Sequence, residues 1–202
     1  MSGVVSRLIQ LFRGEPETGT TPAKDPDPLA PDDKGAPEAR TLDSLLHLAE
    51  VAHAEPLVGN LFRLHFGSST PAYGRHFIAL YSDPDGSLRP IGYLHFTAFE
   101  NCYLGGGMCM DSRLYRRMPA ADRKTLKDAG GVAHFLLKAT QQQLEGADAL
   151  FGYVGDTKAE RVDIRSGYVH TAFPRVIVYW PRELPEAEKT RLVEKVAGLG
   201  PF

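Results

Sequence analysis

Two adjacent glycines, Gly130 and Gly131, come directly before a segment with helical hydrophobic spacing. Glycine lets the backbone approach a ligand closely, and the first N–H groups of a helix attract anions. Gly130, Gly131, Val132 and Ala133 are therefore candidate ligands of a phosphate or pyrophosphate, and Lys127 would add positive charge. The plainer alternative is a helix that simply starts after a flexible Gly-Gly pair.

Four side chains beside predicted strands and turns are candidates for proton transfer. His95 lies on a predicted strand, and an unperturbed histidine titrates near neutral pH, while Glu100 and Asp111 come where strands end. Tyr168 is a candidate acid. The alternatives are that His95 is an ordinary core or surface histidine and that Tyr168 is a packing aromatic. Cys109 has no sequence neighbour that would activate it as a nucleophile.

Spacing patterns typical of metal and nucleotide sites are missing from the sequence. Its histidines and cysteines form neither H-x-x-x-H nor C-x-x-C, so we expect no metal. The glycines at 105–107 fall within a predicted strand and not in a strand–loop–helix element. Two cysteines cannot form a disulfide framework, so we expect reduced thiols and a cytoplasmic protein.

The composition is that of an ordinary globular protein. The chain has 202 residues, of which 43% are hydrophobic and 24% charged, and its formal net charge is -2. A dedicated nucleic-acid binder is usually basic, so we expect no nucleic-acid partner. The sequence has no run of eighteen apolar residues, so we expect no membrane-spanning helix.

Three regions follow from the change of composition along the chain. Residues 1–13 have helical apolar spacing with two arginines and no acid. They are either a short amphipathic helix that contacts a membrane surface or a partner, or a frayed tail. Residues 14–40 are rich in proline and acidic residues, which predicts a disordered linker. Residues 41–202 form the predicted folded domain.

Hydrophobic periodicity within residues 41–202 predicts an α+β, or mixed α/β, fold around one sheet. The predicted order is a helix, a three-strand meander, and then helix, strand, helix, strand, helix. The first helix covers 41–53, the segment 57–66 is ambiguous, and 112–128 is a polar stretch without an assigned element. The predicted strands are 76–82, 91–99, 102–111, 149–154 and 175–180, and the later helices are 133–144, 158–165 and 186–197.

This order and three local motifs resemble the GNAT superfamily of acyl-CoA N-acyltransferases. Residues 110–116 (MDSRLYR) are similar to the family's V-D-P-x-Y-R-G pattern at the end of a strand. Residues 128–133 (DAGGVA) are similar to its Q/R-x-x-G-x-G/A pyrophosphate loop, and 155–169 to its N-x-x-A…Y-x-x-x-G-F segment. The resemblance covers roughly residues 41–180.

The resemblance implies a GNAT-like central, mostly antiparallel sheet flanked by helices. It also implies an N-acyltransferase whose donor is acetyl-CoA or another acyl-CoA and whose acceptor is an amine of a small molecule or a protein. The cofactor-binding residues would be Met108, Cys109 and Met110 along the pantetheine arm, the Gly130–Ala133 segment at the pyrophosphate, and Lys127 on the 3′-phosphate side. Glu100, Asp111 or His95 would be the base, and Tyr168 the acid.

Two alternatives remain open beside this reading. One is an N-acyl synthase on the same fold that takes its acyl group from an acyl carrier protein. The basic docking face for that acidic partner would be Arg113, Arg116, Arg117, Arg123, Lys124 and Lys127. The other is a non-catalytic GNAT-like module that uses its cleft or the N-terminal helix for association, because a shared fold does not by itself imply a reaction.

Overall fold

A single mixed sheet runs through residues 40–202, the part of the chain that the computed structural model describes. Its strands are β1 (Leu46–Val51), β2 (Arg75–Ser82), β3 (Leu88–Phe99), β4 (Cys102–Gly105), β5 (Cys109–Met110), β6 (Ala149–Tyr153), β7 (Val169–His170) and β8 (Val176–Tyr179). The spatial order is β1-β2-β3-β4-β6-β8-β7, and β5 pairs with β3. The predictions for residues 1–39 lie outside the described residues.

Helices cover both faces of this sheet. They are α1 (Leu42–Leu45), α2 (Glu55–Phe66), α3 (Ser112–Arg117), α4 (Ala120–Asp128), α5 (Val132–Gln143), α6 (Thr157–Arg165) and α7 (Glu186–Ala197). Tyr93 packs with residues of α2, whereas its neighbour Leu94 packs with residues of α5. Since successive side chains of a strand point to opposite faces, α2 and α5 lie on opposite sides of the sheet. None of the helices between residues 40 and 202 is long and apolar enough to span a bilayer.

The predicted α+β fold with a mostly antiparallel sheet is confirmed. The segment 41–53 was predicted as one helix, and this is wrong beyond Leu45, because residues 46–51 form the edge strand β1. Leucine, alanine and glutamate favour helices, but pairing of Leu46 with Tyr81 and of Val51 with His76 overrides that preference.

Three other segments differ from the sequence-based expectation. The ambiguous segment 57–66 lies within helix α2, which ends at Gly67 in the left-handed conformation (φ 71°). The single strand predicted at 102–111 is split into β4 and β5 around residues 106–108. The polar stretch 112–128 forms two helices, and the Asp111 carboxylate caps α3 by accepting hydrogen bonds from the N–H groups of Arg113 and Leu114.

Strands β4 and β6 run parallel to each other, whereas the other strand pairs of the described sheet are antiparallel. Their register ends where Gly105 lies opposite Gly152. Beyond this point the chain continues along β3 in the same direction, through an irregular segment at residues 106–108, and pairs with it again as β5, while β6 continues beside β8. The two parallel strands therefore part, which leaves a gap in the middle of the sheet.

Helix α4 is fixed to the sheet by a buried carboxylate. Asp122 accepts a 2.5 Å hydrogen bond from the Tyr81 hydroxyl and a 3.0 Å ion-pair contact from the Arg40 guanidinium. At the other end of α4, the carbonyl of Leu126 accepts a 2.7 Å hydrogen bond from the N–H of Gly131. The position of α4 therefore sets the position of the glycine turn before α5.

Candidate functional site

A cleft of about 470 Å³ occupies the gap between the parting strands. One wall is the backbone of Gly105–Met108, and the other follows the end of β6 and continues to the start of α6. Its side chains come from both faces of the sheet, with Leu94 and Leu137 on the α5 side and Phe62 and Phe66 on the α2 side. The cleft therefore passes through the sheet, and its volume is in the range of small-molecule sites.

The glycines of the first wall make room for aromatic rings. A Cβ at Gly107 would lie 2.9 Å from the Phe66 ring and 3.0 Å from the Phe62 ring. These two rings are tilted against each other with centroids 4.6 Å apart. Gly107 and Met108 lie between β4 and β5, outside the ladder of strand hydrogen bonds. Their backbone can therefore pair with an extended ligand.

His95 stands directly behind this wall. A Cβ at Gly106 would overlap its Nε2 atom, and the imidazole is stacked with Tyr93 at a centroid distance of 5.9 Å. His95 as a residue is only 8% exposed, and its Nδ1 has no hydrogen-bond partner within the described residues. Burial, together with the nearby His76, lowers the pKa of His95 to about 4, so the imidazole is neutral at neutral pH.

The opposite wall carries Tyr168 and Asp163. Both line the cleft, and Tyr168 is buried against Tyr179 with ring centroids 5.9 Å apart. Burial raises the pKa of Tyr168 well above its usual range. Burial, together with the negative charges of Asp156 and Glu160, raises the pKa of Asp163 to about 7.

In the glycine turn before α5, the N–H groups of Gly130 and Gly131 donate hydrogen bonds to the carbonyls of Lys127 and Leu126 at the end of α4. Gly130 and Gly131 have φ values of 102° and 90°, a conformation that side chains other than glycine rarely adopt. The first hydrogen bond of α5 runs from the N–H of Phe135 to the carbonyl of Gly131, and no side chain of the described residues caps the helix. The Arg165 guanidinium carbon lies 3.3 Å from where a Cβ of Gly130 would be.

Several predicted site residues lie elsewhere in the structure. Glu100 is in the turn after β3 and forms ion pairs with Lys195 and Arg191, which lower the pKa of its carboxyl. Asp111 caps α3, so neither carboxylate lines the cleft. Met108 does line it. Lys127 is exposed in the last turn of α4.

The two residues of β5 turn away from the cleft. Cys109 packs beneath α2 with Tyr93 and Phe62, and burial raises the pKa of its thiol to about 12, which leaves it unreactive. The Met110 side chain lies over Gly92 beside Val132. In residues 40–202 no three His, Cys, Asp or Glu side chains are grouped closely enough to hold a metal ion.

Sequence reasoning did not select Phe62 and Phe66, which the structure places at the cleft, and it noted Asp163 only as the residue at the position of the tyrosine acid in the GNAT resemblance. Phe62 and Phe66 lie in the segment whose secondary structure was ambiguous, so nothing indicated which face they would present. Asp163 lies on an amphipathic helix, where a charged residue is usually solvated. The available signal was the run of glycines at 105–107, which marks a close approach of other groups to the backbone.

No family model matches the chain, and no curated protein matches its sequence. Among solved structures, the chain is similar to the ribosomal-protein alanine N-acetyltransferase of Escherichia coli, with 11% identity, a TM-score of 0.48, and coverage of 70% of this chain and 97% of that chain. It is also similar to the putative N-acetyl transferase YhhK of E. coli bound to coenzyme A, with 10% identity, a TM-score of 0.44, and coverage of 67% and 98%.

A third similar structure is the cAMP-binding acyltransferase of Mycobacterium smegmatis, with 15% identity, a TM-score of 0.41, and coverage of 75% of this chain and 49% of that chain. Because the identities are this low and the TM-scores are below 0.5, these similarities do not show an activity. Any activity has to be argued from the cleft itself. Residues 40–202 form the α+β fold with a mostly antiparallel sheet that the sequence predicts, and their likeness to the GNAT superfamily is a resemblance.

Proposed function

We propose that this chain is an acyl-CoA-dependent N-acyltransferase, which moves an acetyl or longer acyl group from a thioester to an amine. The observation that carries the proposal is the parting of β4 and β6 beyond Gly105 and Gly152, which opens a cleft through the sheet. Such a cleft lets a thioester donor and an amine meet at one point from opposite faces, which holds the reacting atoms together.

The donor would enter from the α5 face. Its pyrophosphate would lie at the glycine turn, beside the N–H groups of Val132 and Ala133 in the first turn of α5, where Lys127 and Arg165 would add positive charge. The amides of its pantetheine arm would pair with the backbone beside Met108, much as an added strand does. The Met108 side chain adapts to an apolar acyl group.

The acceptor amine would enter from the α2 face, past Phe62 and Phe66. Its nitrogen attacks the thioester carbonyl carbon, for which it must first be neutral. His95 is the predicted base nearest to the cleft, but an imidazole with a pKa of about 4 is a weak base. We therefore propose that His95 supports the cleft wall at Gly106. The amine would lose its proton to water before it attacks the thioester.

The direct test is release of thiol from acetyl-CoA and octanoyl-CoA by the full-length chain in the presence of a panel of amines, with mass spectrometry of the product. The proposal predicts amine-dependent thiol release and one N-acylated product. A folded protein that releases no thiol with any donor and amine would contradict it and favour the non-catalytic module.

A second candidate donor is an acyl carrier protein. It is favoured by the exposed basic side chains on α3 and α4, namely Arg113, Arg116, Arg117 and Lys127. The acids of these helices are engaged, since Asp122 binds Arg40 and Asp128 binds Lys124. A kcat/KM for an acyl carrier protein well above that for acyl-CoA would favour this donor, and its loss at high salt would assign the preference to charge.

A further inference from the structure

The half of the cleft on the α2 side of the sheet is lined by aromatic rings from separate parts of the chain. Leu150 packs on the α5 side, so the next residue of β6, Phe151, and Tyr153 two positions further on point to the α2 side. Phe62 and Phe66 reach this half from α2. We call it the aromatic half of the cleft, and its rings are those of Phe62, Phe66, Phe151, Tyr153 and Phe202.

Phe66 stands at the entrance to the aromatic half. It is a large apolar side chain that is 46% exposed, although it also lines the cleft. Its position is fixed from two sides, because its ring contacts the Phe62 ring, and a Cβ at Gly107 would lie 2.9 Å from it. Phe62 in turn stands edge-on to the Tyr93 ring, with centroids 5.6 Å apart. The entrance is therefore a rigid apolar surface, which a ligand gains free energy by covering.

The loop that follows α2 is tied to this entrance by Glu55. The Glu55 carboxylate accepts hydrogen bonds from the backbone N–H of Thr70, at 2.9 Å, and from its hydroxyl, at 2.8 Å. Gly59 leaves room for this carboxylate, since a Cβ at position 59 would overlap it. Ser68 of the same loop lines the cleft. The aromatic half is thus already formed, and a ligand does not have to order its rim on binding.

The charged side chains of the cleft all have one sign. No lysine or arginine of residues 40–202 lines it, whereas Asp156 and Asp163 line its α6 side. The Asp156 carboxylate accepts hydrogen bonds from the N–H groups of Lys158 and Ala159, at 2.7 and 3.0 Å, and these contacts lower the pKa of its carboxyl. A carboxylate or phosphate on the acceptor would lose its hydration here without meeting a cation. An ammonium group, in contrast, is attracted to this rim.

We propose that the acceptor is a small amine that carries an apolar aryl or alkyl group and no anionic group, an inference that rests on the proposed N-acyltransferase function. The apolar group lies among the rings of the aromatic half, and the amino group reaches the gap beyond Gly105 and Gly152. There the neutral amine bonds to the thioester carbonyl carbon, and the C–S bond breaks with its electron pair on sulfur. One N–H proton passes through water to that sulfur, so the products are an amide and a free thiol.

The acyl chain of the donor is the competing occupant of the aromatic half. The α5 side of the cleft, from which the donor would enter, has apolar side chains of its own, namely Leu94, Phe96 and Leu137. An acyl chain can therefore be covered there without crossing the sheet. This leaves the aromatic half to the acceptor.

The first experiment compares acceptors, with acetyl-CoA as the donor and the full-length chain as the enzyme. 2-Phenylethylamine and phenylalanine differ only in a carboxylate, and we expect kcat/KM to be at least about 100-fold higher for 2-phenylethylamine. From propylamine to hexylamine we expect kcat/KM to rise about fourfold for each methylene. A flat alkylamine series, or a preference for phenylalanine, would show that this acceptor class is wrong while the proposed function stands. If no amine is acylated, both are wrong.

The second experiment compares F66A with L64A, which shortens an exposed leucine of the same helix that does not line the cleft. Thermal unfolding checks that both variants are folded. We expect F66A to lower kcat/KM for 2-phenylethylamine by about 10-fold or more, while kcat/KM for propylamine and the Kd for acetyl-CoA change less than about threefold. L64A should stay within about twofold of the unaltered chain for both amines. If F66A instead lowers kcat/KM for octanoyl-CoA relative to acetyl-CoA and leaves the acceptor preference unchanged, the aromatic half holds the acyl chain and the proposal is wrong.

Discussion

Gly106 and His95 are in direct contact, because a Cβ at position 106 would overlap the Nε2 atom of the imidazole. G106A should therefore displace the His95 ring or the cleft wall. We expect a loss of about 1–3 kcal/mol in the free energy of unfolding, and a fall in turnover at least as large as that in donor affinity. Urea unfolding measures the first, and G146A, where a Cβ meets nothing within 4 Å, is the matched control. Equal stability of the two variants would contradict the contact.

The contacts of Asp122 with Tyr81 and Arg40, which fix α4 to the sheet, give a second prediction. Y81F removes the hydroxyl that donates to buried Asp122 and should cost about 1–2 kcal/mol. R40A leaves that carboxylate without its cation and should cost about 2–3 kcal/mol. In the double variant the two losses should not add, because both side chains bind the same carboxylate oxygen. Strict additivity in urea unfolding would show that the contacts are independent.

The buried His95 predicts a loss of stability in acid. Its pKa is lowered to about 4 in the folded chain, whereas an unfolded histidine binds its proton near pH 6.5. Between these values the unfolded state binds more protons, so the free energy of unfolding falls as the pH drops from 6.5 towards 4. Replacing His95 with asparagine should flatten this slope. Unfolding by urea at several pH values measures it, and an unchanged slope would contradict the buried, neutral imidazole.

Asp163 predicts the opposite sign. Its pKa is raised to about 7 in the folded chain, so the folded state holds a proton that the unfolded state releases near pH 4. The contribution of Asp163 to the free energy of unfolding is complete at low pH and is lost as the pH rises through 7. D163N should therefore be more stable than the unaltered chain at pH 8, by about 1–2 kcal/mol after allowance for partial exposure, and gain little at pH 4. If D163N is less stable than the unaltered chain at pH 8, the ionised Asp163 carboxylate does not lower the free energy of unfolding, and this prediction is wrong.

The strands and helices that the sequence predicted well are those set by local patterns. Residues 76–82 and 91–99 are rich in β-branched and aromatic residues, and Pro185 precedes the predicted helix 186–197, which forms with those bounds. Strand β1 could not be predicted locally, because its residues favour a helix and only pairing with β2 makes it a strand. The break at 106–108 depends on β5 pairing with β3, which is a long-range contact.

The sequence predicts those parts of the candidate site in which a residue type has a single structural role. The glycines at 130 and 131 do adopt the left-handed conformation that their turn requires. The proton-transfer groups were harder, since a carboxylate at a strand end can cap a helix, as Asp111 does, or bind surface lysines, as Glu100 does. Which acid enters the cleft depends on how α6 packs beside β6, and this packing selects Asp163.

The most direct test of the donor cleft is calorimetric titration of the full-length chain with acetyl-CoA, octanoyl-CoA and CoA, alongside G131E and G131A. Both variants impose the same backbone strain at φ 90°, but only glutamate places a negative charge at the start of α5. We predict micromolar binding to the unaltered chain, and a loss in G131E at least about 100-fold greater than the loss in G131A. No binding by the folded chain, or equal binding by both variants, would contradict a pyrophosphate site at this turn.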